Sequence, residues 1–157
     1  MAPQSGKNME IAKAIGGCES ICIHVRRGDY VIDAKTNQHH GICSLDYYYR
    51  CASAVAERTK DPHFFVFTDD PLWVREHLKL QYPMTFVDQN GPREAYEDIR
   101  LMSQCRHHII ANSSFSWWGA WLGTSPENIV FAPKQWFAKK SNQDEVNDIV
   151  PERWIKI

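Results

Sequence analysis

The stretch that decides the fold runs from Ser20 to Asp29 and reads SICIHVRRGD. Its first part, Ser20 to Val25, has the length of one strand, and two arginines and a glycine follow at once. A short, mostly apolar run of this kind is typical of a strand that is covered on both faces, as in a parallel sheet. Because ligands of open parallel sheets bind beyond the carboxyl ends of the strands, the stretch predicts a buried strand that leads into a binding loop.

Strand-like and helix-like segments alternate through the rest of the chain. Residues 45–58 carry apolar side chains at spacings of three and four, which predicts a helix with Ser44 as its N-cap. Such alternation predicts an α/β fold, a Rossmann-like three-layer α/β/α arrangement with a mainly parallel sheet. The expected strands are Ser20 to Val25, Phe64 to Thr68, Met84 to Val87, His108 to Ala111 and Ile129 to Ala132, and the expected helices span 45–58, 71–80, 93–105 and 114–122.

Length and composition fit one ordinary globular domain. The chain has 157 residues, of which 43% are hydrophobic and 24% charged. Its net charge of −1 gives no reason to expect nucleic acid as a partner. We expect a single domain over residues 1–157, with 1–19 and 138–157 as flanking segments.

The five cysteines and the N-terminal sequence bear on the compartment. An odd number of cysteines with no hydrophobic signal core in MAPQSGKNME predicts a reducing, cytoplasmic location. No apolar run approaches the roughly 18 residues that a membrane-spanning helix needs. The alternatives are a lost targeting or anchoring segment and peripheral membrane association of a longer protein.

Two sequence elements are suited to an anion. Arg26 and Arg27 can hold phosphate oxygens with paired hydrogen bonds, and their place after a buried strand favours this role over a solvated surface pair. Asn112, Ser113 and Ser114 lie at a strand-to-helix turn, where free backbone N–H groups and the helix dipole favour phosphate. Plain helix capping is the alternative for this turn.

Asp98 is a candidate reader of a base. A carboxylate can accept two hydrogen bonds from N1 and N2 of guanine, which adenine cannot offer. The alternative is that Asp98 complements the dipole at a helix start, and spacing alone favours that alternative.

Together, HVRRGDY (24–30), FVFTDD (65–70) and DIRLMSQCRHHIIANSSFSWWGAWL (98–122) resemble the donor-binding half of the α-1,2-fucosyltransferases of glycosyltransferase family 11. The resemblance covers residues 21–137. It implies one lobe of a GT-B-like enzyme, GDP-fucose as donor, a glycan acceptor, inversion at the anomeric carbon, and no metal or other cofactor.

The resemblance also implies roles for residues. Arg27 and Arg26 would hold the β-phosphate during catalysis, and Asp29 would orient them. His24 and Asp98 would face guanine or its ribose, and Ser113 and Ser114 would cap the diphosphate. The implied GDP-fucose-binding residues are His24, Arg26, Arg27, Asp29, Thr68, Asp69, Asp98, Asn112, Ser113 and Ser114, and Asp69 and Asp70 are expected to fix a loop or contact the nucleotide.

The sequence departs from the family at its start. Family members have a Gly-rich segment and a whole lobe before the arginine motif, whereas 23 residues precede His24 here. We therefore expect the acceptor lobe to be absent. A non-catalytic GDP-sugar-binding module is the alternative function, and the absence of a G-x-x-x-x-G-K-[ST] loop counts against a kinase.

Aromatic and histidine residues of the long motif complete the expectations. Trp117, Trp118 and Trp121 recur at helical spacing, which favours core packing over a sugar-stacking platform. His107 and His108 are expected to start a strand, with one ring near the site.

Overall fold

The structure, a computed structural model, describes residue 4 and residues 6–28, 41–138 and 146–157. Strands and helices alternate along these residues, and a 3₁₀ helix (Pro92–Glu94) leads into one of the helices. The strands are β1 (Glu19–Val25), β2 (Pro62–Thr68), β3 (Met84–Val87), β4 (His107–Ile109), β5 (Val130–Ala132) and β6 (Ile155–Lys156). The helices are α1 (Gly6–Gly16), α2 (Leu45–Ala56), α3 (Pro71–His77), α4 (Ala95–Gln104), α5 (Ser114–Trp121) and α6 (Val146–Ile149).

The six strands form one parallel sheet in the order β3-β2-β1-β4-β5-β6. Strand order therefore runs outward in both directions from β1 and β4, as in a doubly wound nucleotide-binding fold. This arrangement confirms the predicted Rossmann-like α/β class. Its carboxyl edge carries the loops that follow Val25, Thr68 and Val87.

Alternating side chains of the central strand fill the two sides of the sheet. Ile21, Ile23 and Val25 of β1 belong to an apolar cluster that includes the buried face of α2. Cys22 lies in a second cluster with residues from α1, α4 and β2. Because successive side chains of a strand point to opposite faces, His24 shares the face of Cys22.

Predicted and observed elements agree closely in the middle of the chain. All five predicted strands and all four predicted helices are present, and Ser44 caps α2 by accepting a hydrogen bond from the Tyr47 N–H at 3.2 Å. Helix α3 ends at His77, three residues earlier than predicted, and the predicted start at 93 lies inside the 3₁₀ helix.

Parts of both segments expected to flank the domain, 1–19 and 138–157, form secondary structure. Residues 6–16 form α1, whose buried Ile11 and Ile15 pack on the second cluster, and residues 155–156 form the sixth strand. Ile11, Ala12 and Ile15 have helical spacing, so a signal for α1 was present. The two-residue strand β6 is too short to produce a period.

The prediction of core packing was wrong for two of the three tryptophans. Trp118 is 49% exposed and Trp121 is 43% exposed. Only Trp117 is partly buried, against the cluster that contains Trp154. The Trp117 ring stacks on the Trp121 ring with the centroids 5.0 Å apart, and the Arg153 guanidinium lies 4.8 Å from the Trp121 centroid.

Candidate functional site

A cavity of about 520 Å³ lies beyond the carboxyl ends of β1, β2 and β3. This is where ligands bind in open α/β sheets. Its wall combines apolar side chains with groups of both charges. Five of the predicted site residues meet there, namely His24, Arg26, Thr68, Asp69 and Asp98, together with Phe67, Val87, Asp88, Asn90 and Phe115.

Asp69 organises the loop that follows β1. Its carboxylate accepts hydrogen bonds from the backbone N–H groups of Arg27 at 2.8 Å and Gly28 at 3.0 Å. The same carboxylate lies 3.1 Å from Nε of Arg26. A Cβ on Gly28 would approach Asp69 Oδ2 to 2.9 Å, which explains the glycine at this position. Asp69 thus fixes the loop, the first of the two roles expected for it.

The two arginines of the motif are held in different places. Arg26 lines the cavity. The Arg27 guanidinium lies over the Trp73 ring at 3.4 Å from the centroid, and its Nε is 3.6 Å from Asp70 Oδ2. Stacking and pairing restrict the rotamers of Arg27, so the fork is preorganised beside the cavity rather than in its wall. The phosphate role of both arginines stays a prediction.

His24 is the most buried polar residue that lines the cavity. Its side chain is 2% exposed, and its ring lies 5.5 Å from the Phe115 ring. Burial, followed by the charge of Arg26, lowers the imidazole pKa to about 3, so the ring is neutral at physiological pH. Its Nδ1 has no hydrogen-bond partner among the described residues. Because an unsatisfied buried polar atom costs on the order of 1–3 kcal/mol, a ligand is the natural partner for it.

Asp98 lies in the first turn of α4 and is half-buried in the cavity wall. Burial raises the pKa of its carboxyl to about 6, and a hydrogen bond from Asn90 opposes this rise. That bond, from Asn90 Nδ2 to Asp98 Oδ1, is 2.7 Å long. The carboxylate is thus held in place with one oxygen engaged, as a reader of paired donors requires.

The Asn112 to Ser114 turn lies apart from this cavity. Asn112 is buried, donates to the carbonyls of Gly41 and Trp136, and lines a second cavity of about 470 Å³. Ser113 caps α5 by accepting from the Phe115 N–H at 3.3 Å, and Ser114 is exposed at the helix start. The capping alternative therefore holds for Ser113, and the phosphate role of the turn stays a prediction.

Thr68 and Asp70 both serve local structure. The Thr68 hydroxyl accepts from the Asp70 N–H at 3.0 Å, and the Asp70 carboxylate caps α3 by accepting from the Trp73 N–H at 3.3 Å. Thr68 also lines the cavity. Asp29 lies outside the described residues, so its predicted role in orienting the arginines is not addressed; among the described residues Asp69 does this work.

The two histidines of β4 start their strand as expected, but neither ring lines the cavity. His107 Nε2 is 2.8 Å from Glu19 Oε1, and His108 Nε2 is 2.8 Å from the Met102 carbonyl. Both residues start their strand, at the edge of the sheet opposite the cavity. The prediction that one ring lies near the site was wrong, because the start of a parallel strand is remote from its binding edge.

Phe115, Asn90 and Trp73 contribute to the site without having been predicted. Phe115 belongs to the quoted motif but is apolar, Asn90 follows β3 in a polar loop, and Trp73 reads as an ordinary helix residue. The polar loop after a strand was the one usable signal. The described residues contain no group of three or more His, Cys, Asp or Glu side chains that could hold a metal.

Comparison with known proteins places this arrangement among glycosyltransferases. The sequence model of Glycosyl transferase family 11 matches residues 4–157. An alpha-1,2-colitosyltransferase of Escherichia coli is 37% identical over 154 residues, covering 94% of this chain and 51% of that protein. The O-antigen biosynthesis glycosyltransferase WbnK of Escherichia coli is 35% identical over 136 residues, covering 86% and 43%.

A more distant relative is the human galactoside alpha-(1,2)-fucosyltransferase 1, which is 29% identical over 102 residues, covering 64% of this chain and 28% of that protein. The chain thus spans about half the length, or less, of the curated relatives it matches. In the described residues, no helix combines the length and the hydropathy that a membrane span requires.

Proposed function

The chain belongs to glycosyltransferase family 11, and from this premise we propose that it binds GDP-fucose and supplies the donor-binding half of an inverting α-1,2-fucosyltransferase. The observation that carries the proposal is the buried His24 ring, which lines the same cavity as Asp98 and Arg26 and whose Nδ1 has no partner among the described residues. These three groups suit different parts of a nucleoside diphosphate. The acceptor in this proposal is a glycan with a terminal galactose, and the O2 hydroxyl of that galactose is the nucleophile.

Each end of the cavity offers the chemistry that one part of the donor needs. Asp98, when ionised, can accept from N1–H and N2–H of guanine, while neutral His24 can bond to the base or ribose. Arg26 in the cavity wall and Arg27 beside it offer positive charge for the diphosphate. The base and phosphate ends are joined by the loop that Asp69 fixes.

The proposed reaction is an in-line displacement. The acceptor hydroxyl oxygen forms a bond to the anomeric carbon of fucose as the bond from that carbon to the β-phosphate oxygen breaks. The electron pair of the broken bond stays on the diphosphate, and the hydroxyl proton passes to a general base. Positive groups placed in advance stabilise the growing phosphate charge.

We further propose that donor binding requires no metal. Two arginines can balance a diphosphate electrostatically, and the Asp69 and Asp70 carboxylates are already engaged by Arg26, Arg27 and backbone N–H groups. GDP affinity should be the same in EDTA as in Mg²⁺ or Mn²⁺. A strict requirement for either ion would contradict the proposal and make Asp69 and Asp70 candidate ligands.

Calorimetric titration of the chain with GDP, GDP-fucose, ADP and UDP tests the donor assignment. We expect GDP and GDP-fucose to bind and ADP and UDP to bind much more weakly. Arg50→Ala, which removes an exposed arginine of α2, is a matched control for Arg26→Ala. Only the Arg26 variant should lose GDP affinity. Equal affinity for all four nucleotides would contradict the proposal that the chain binds GDP-fucose as its donor.

A colitosyl group is a second candidate for the transferred sugar. The specific observation is the 37% identity with an alpha-1,2-colitosyltransferase over 94% of this chain. Colitose lacks one hydroxyl group of fucose, so the two donors would differ only at the sugar end of the cleft. Competition between GDP-fucose and GDP-colitose for the chain, each measured against GDP, separates the candidates. A higher affinity for GDP-colitose would favour colitosyl transfer.

A further inference from the structure

A chain of side-chain amides connects α1 with the cavity. Asn8 Nδ2 donates to Asn90 Oδ1 at 2.8 Å, and Asn90 Nδ2 donates back to Asn8 Oδ1 at 3.0 Å. Gln89 Nε2 also donates to Asn8 Oδ1, at 2.6 Å. Asn90 Nδ2 then donates its other hydrogen to Asp98 Oδ1 at 2.7 Å. The connection therefore runs from the first helix of the chain to the carboxylate of Asp98.

The Asp98 carboxylate, which only accepts, fixes which way the Asn90 amide points, and the reciprocal pair with Asn8 holds the amide in that orientation. An amide group has two donors and one acceptor oxygen, and a half-turn of Asn90 would exchange them. With Asn8 in place, both hydrogens of Asn90 Nδ2 have acceptors and Oδ1 has a donor. A turned amide would direct its oxygen at the Asp98 carboxylate, where two acceptors repel. Asn8 thus supports, with two hydrogen bonds, the orientation in which Asn90 donates to Asp98.

Apolar packing brings Asn8 to this position. Ile11 and Ile15 are buried in the second cluster, and Asn8, Ile11 and Ile15 recur at the spacing of one helix face. Asn8 is half-buried, while its neighbours Lys7 and Met9 are exposed. The helix docks beside α4 through this face, and at its N-terminal end the face presents an amide.

We infer that α1 is part of the donor site and that Asn8 is a positioning residue, which sets base selectivity by holding Asn90 and, through it, the Asp98 carboxylate. The inference rests on the proposed function, because it assigns to Asp98 the reading of guanine. Asn8 lies at the far end of the amide chain and acts through Asn90. Replacement of Asn8 leaves every residue that would contact the nucleotide unchanged. It weakens the support of Asp98, the residue proposed to distinguish guanine from adenine.

The test uses Asn8→Leu, which keeps about the size of the side chain, raises its helix propensity and has no amide, and Asn8→Ala as a second variant. Glu10→Gln, an exposed change on the same helix, is the control. We expect both Asn8 variants to bind GDP about three- to tenfold more weakly, as loss of one hydrogen bond allows, with a smaller ratio of GDP to ADP affinity. Thermal unfolding of each variant reports whether α1 stays folded.

A second readout separates positioning from mere stability. The Asn90 hydrogen bond lowers the pKa of Asp98, whereas burial and the carboxylates of Glu94 and Glu97 raise it. The other titratable and charged groups that line this cavity are His24, Arg26, Asp69 and Asp88, and none of them is changed by the Asn8 variants. The pKa of Asp98, followed by carbon NMR of its carboxyl in the unliganded chain, should rise in the Asn8 variants. The pH below which GDP binding weakens should rise with it.

The outcomes separate the inference from the proposed function. If the unchanged protein selects GDP while Asn8→Leu and Asn8→Ala keep its selectivity and its Asp98 pKa, the inference is wrong and the proposed function stands. If the unchanged protein binds GDP and ADP equally, Asp98 does not read guanine and both are overturned. Lower selectivity with a raised Asp98 pKa in the Asn8 variants, and neither change in Glu10→Gln, supports the inference.

Discussion

One carboxylate sets the geometry of the arginine motif. Asp69 receives two backbone N–H groups from the loop after β1 and faces the Arg26 side chain, so a residue of β2's loop holds a loop that begins at β1. Because hydrogen bonds to a charged group are stronger than neutral ones, this contact keeps residues 26–28 ordered before a ligand arrives. A preorganised loop loses less entropy on binding than a flexible one.

Arg27 is the residue at which a charge effect and a shape effect can be separated. In an active protein that carries this chain as its donor half, Arg27→Ala should lower kcat/KM by about 10²–10³, the usual effect of removing one preorganised donor. Arg27→Lys keeps the charge but loses the planar fork and the stacking on Trp73, and we expect it to recover only a part of the loss. Steady-state kinetics measure both, with Arg50→Ala as control. Near-normal kcat/KM in Arg27→Ala would exclude Arg27 from the mechanism.

Asp98 is held at a cost to stability. Its pKa is about 6 in the folded protein, above the ordinary carboxyl value of 3.8, chiefly because of burial. A carboxyl whose pKa is raised by folding stabilises the fold most below its unfolded pKa, and that contribution is lost as pH rises through the folded pKa. At neutral pH the fold therefore carries a half-buried charge, as is common at functional sites.

Asp98→Asn tests this cost directly. The amide is nearly the same size and can still accept from Asn90, but it has no charge to bury. We expect the variant to unfold at a higher temperature than the unchanged protein at pH 7.5, and the difference to shrink at pH 5, where Asp98 is largely protonated. Thermal unfolding at both pH values measures the effect. If Asp98→Asn is less stable than the unchanged protein at pH 7.5, burial of the charge is not the cause of the raised pKa. We also expect Asp98→Asn to have a smaller ratio of GDP to ADP affinity.

Hydrophobic periodicity correctly predicted the type and position of the longer strands and helices. The continuous apolar runs at 20–25 and 64–68 and the helical spacing at 45–58 gave strands and a helix at the observed positions. The structure departs from prediction where tertiary contacts decide. Helix α1 has a short apolar face whose burial depends on α4, and β6 exists because β5 pairs with it. Neither condition can be read from local sequence.

The candidate site was predictable in its members more than in its geometry. The rule that ligands bind at the carboxyl ends of strands placed His24 near one edge, and the family resemblance brought Asp98, 74 positions further along the chain, to the same site. Arg27 lies outside the cavity wall because its guanidinium stacks on Trp73. Asn112 lies at the second cavity because it donates to the carbonyls of Gly41 and Trp136. Such contacts are set by rotamers and loop paths, which spacing does not encode.

The contact between α4 and α5 is set by one glycine. A Cβ on Gly119 would lie 2.8 Å from Met102 Cβ and 2.9 Å from its sulfur, so the helices would have to separate. Gly119→Ala should lower the free energy of unfolding by about 1–3 kcal/mol. It should also weaken GDP binding, because α5 carries Phe115, which packs beside His24. Gly16→Ala, where a Cβ meets nothing within 4 Å, is the control. Denaturant unfolding showing equal stability of both variants would contradict this packing.

The whole molecule places its binding groups on one side of the central strands. The cavity lies over β1, β2 and β3, while the second cavity lies near the carboxyl end of β5 and the start of α2. The groups proposed to bind the base and the phosphates all come from residues 24–115, so they lie within one sheet and its covering helices.

The last prediction is that the 157-residue chain by itself binds GDP but does not transfer fucose. It should bind, because the cavity and its polar groups are formed within one sheet and its covering helices. It should not transfer, because catalysis depends on holding donor and acceptor in line, and the chain spans about half the length of relatives that carry out transfer. Purified chain would be incubated with GDP-fucose and galactose-terminated acceptors, with GDP titrated separately. Robust transfer by the chain alone would place an acceptor site within it. If transfer appears only when the other half of a family relative is added, the two halves share one active site, and this chain is not a non-catalytic GDP-sugar-binding module.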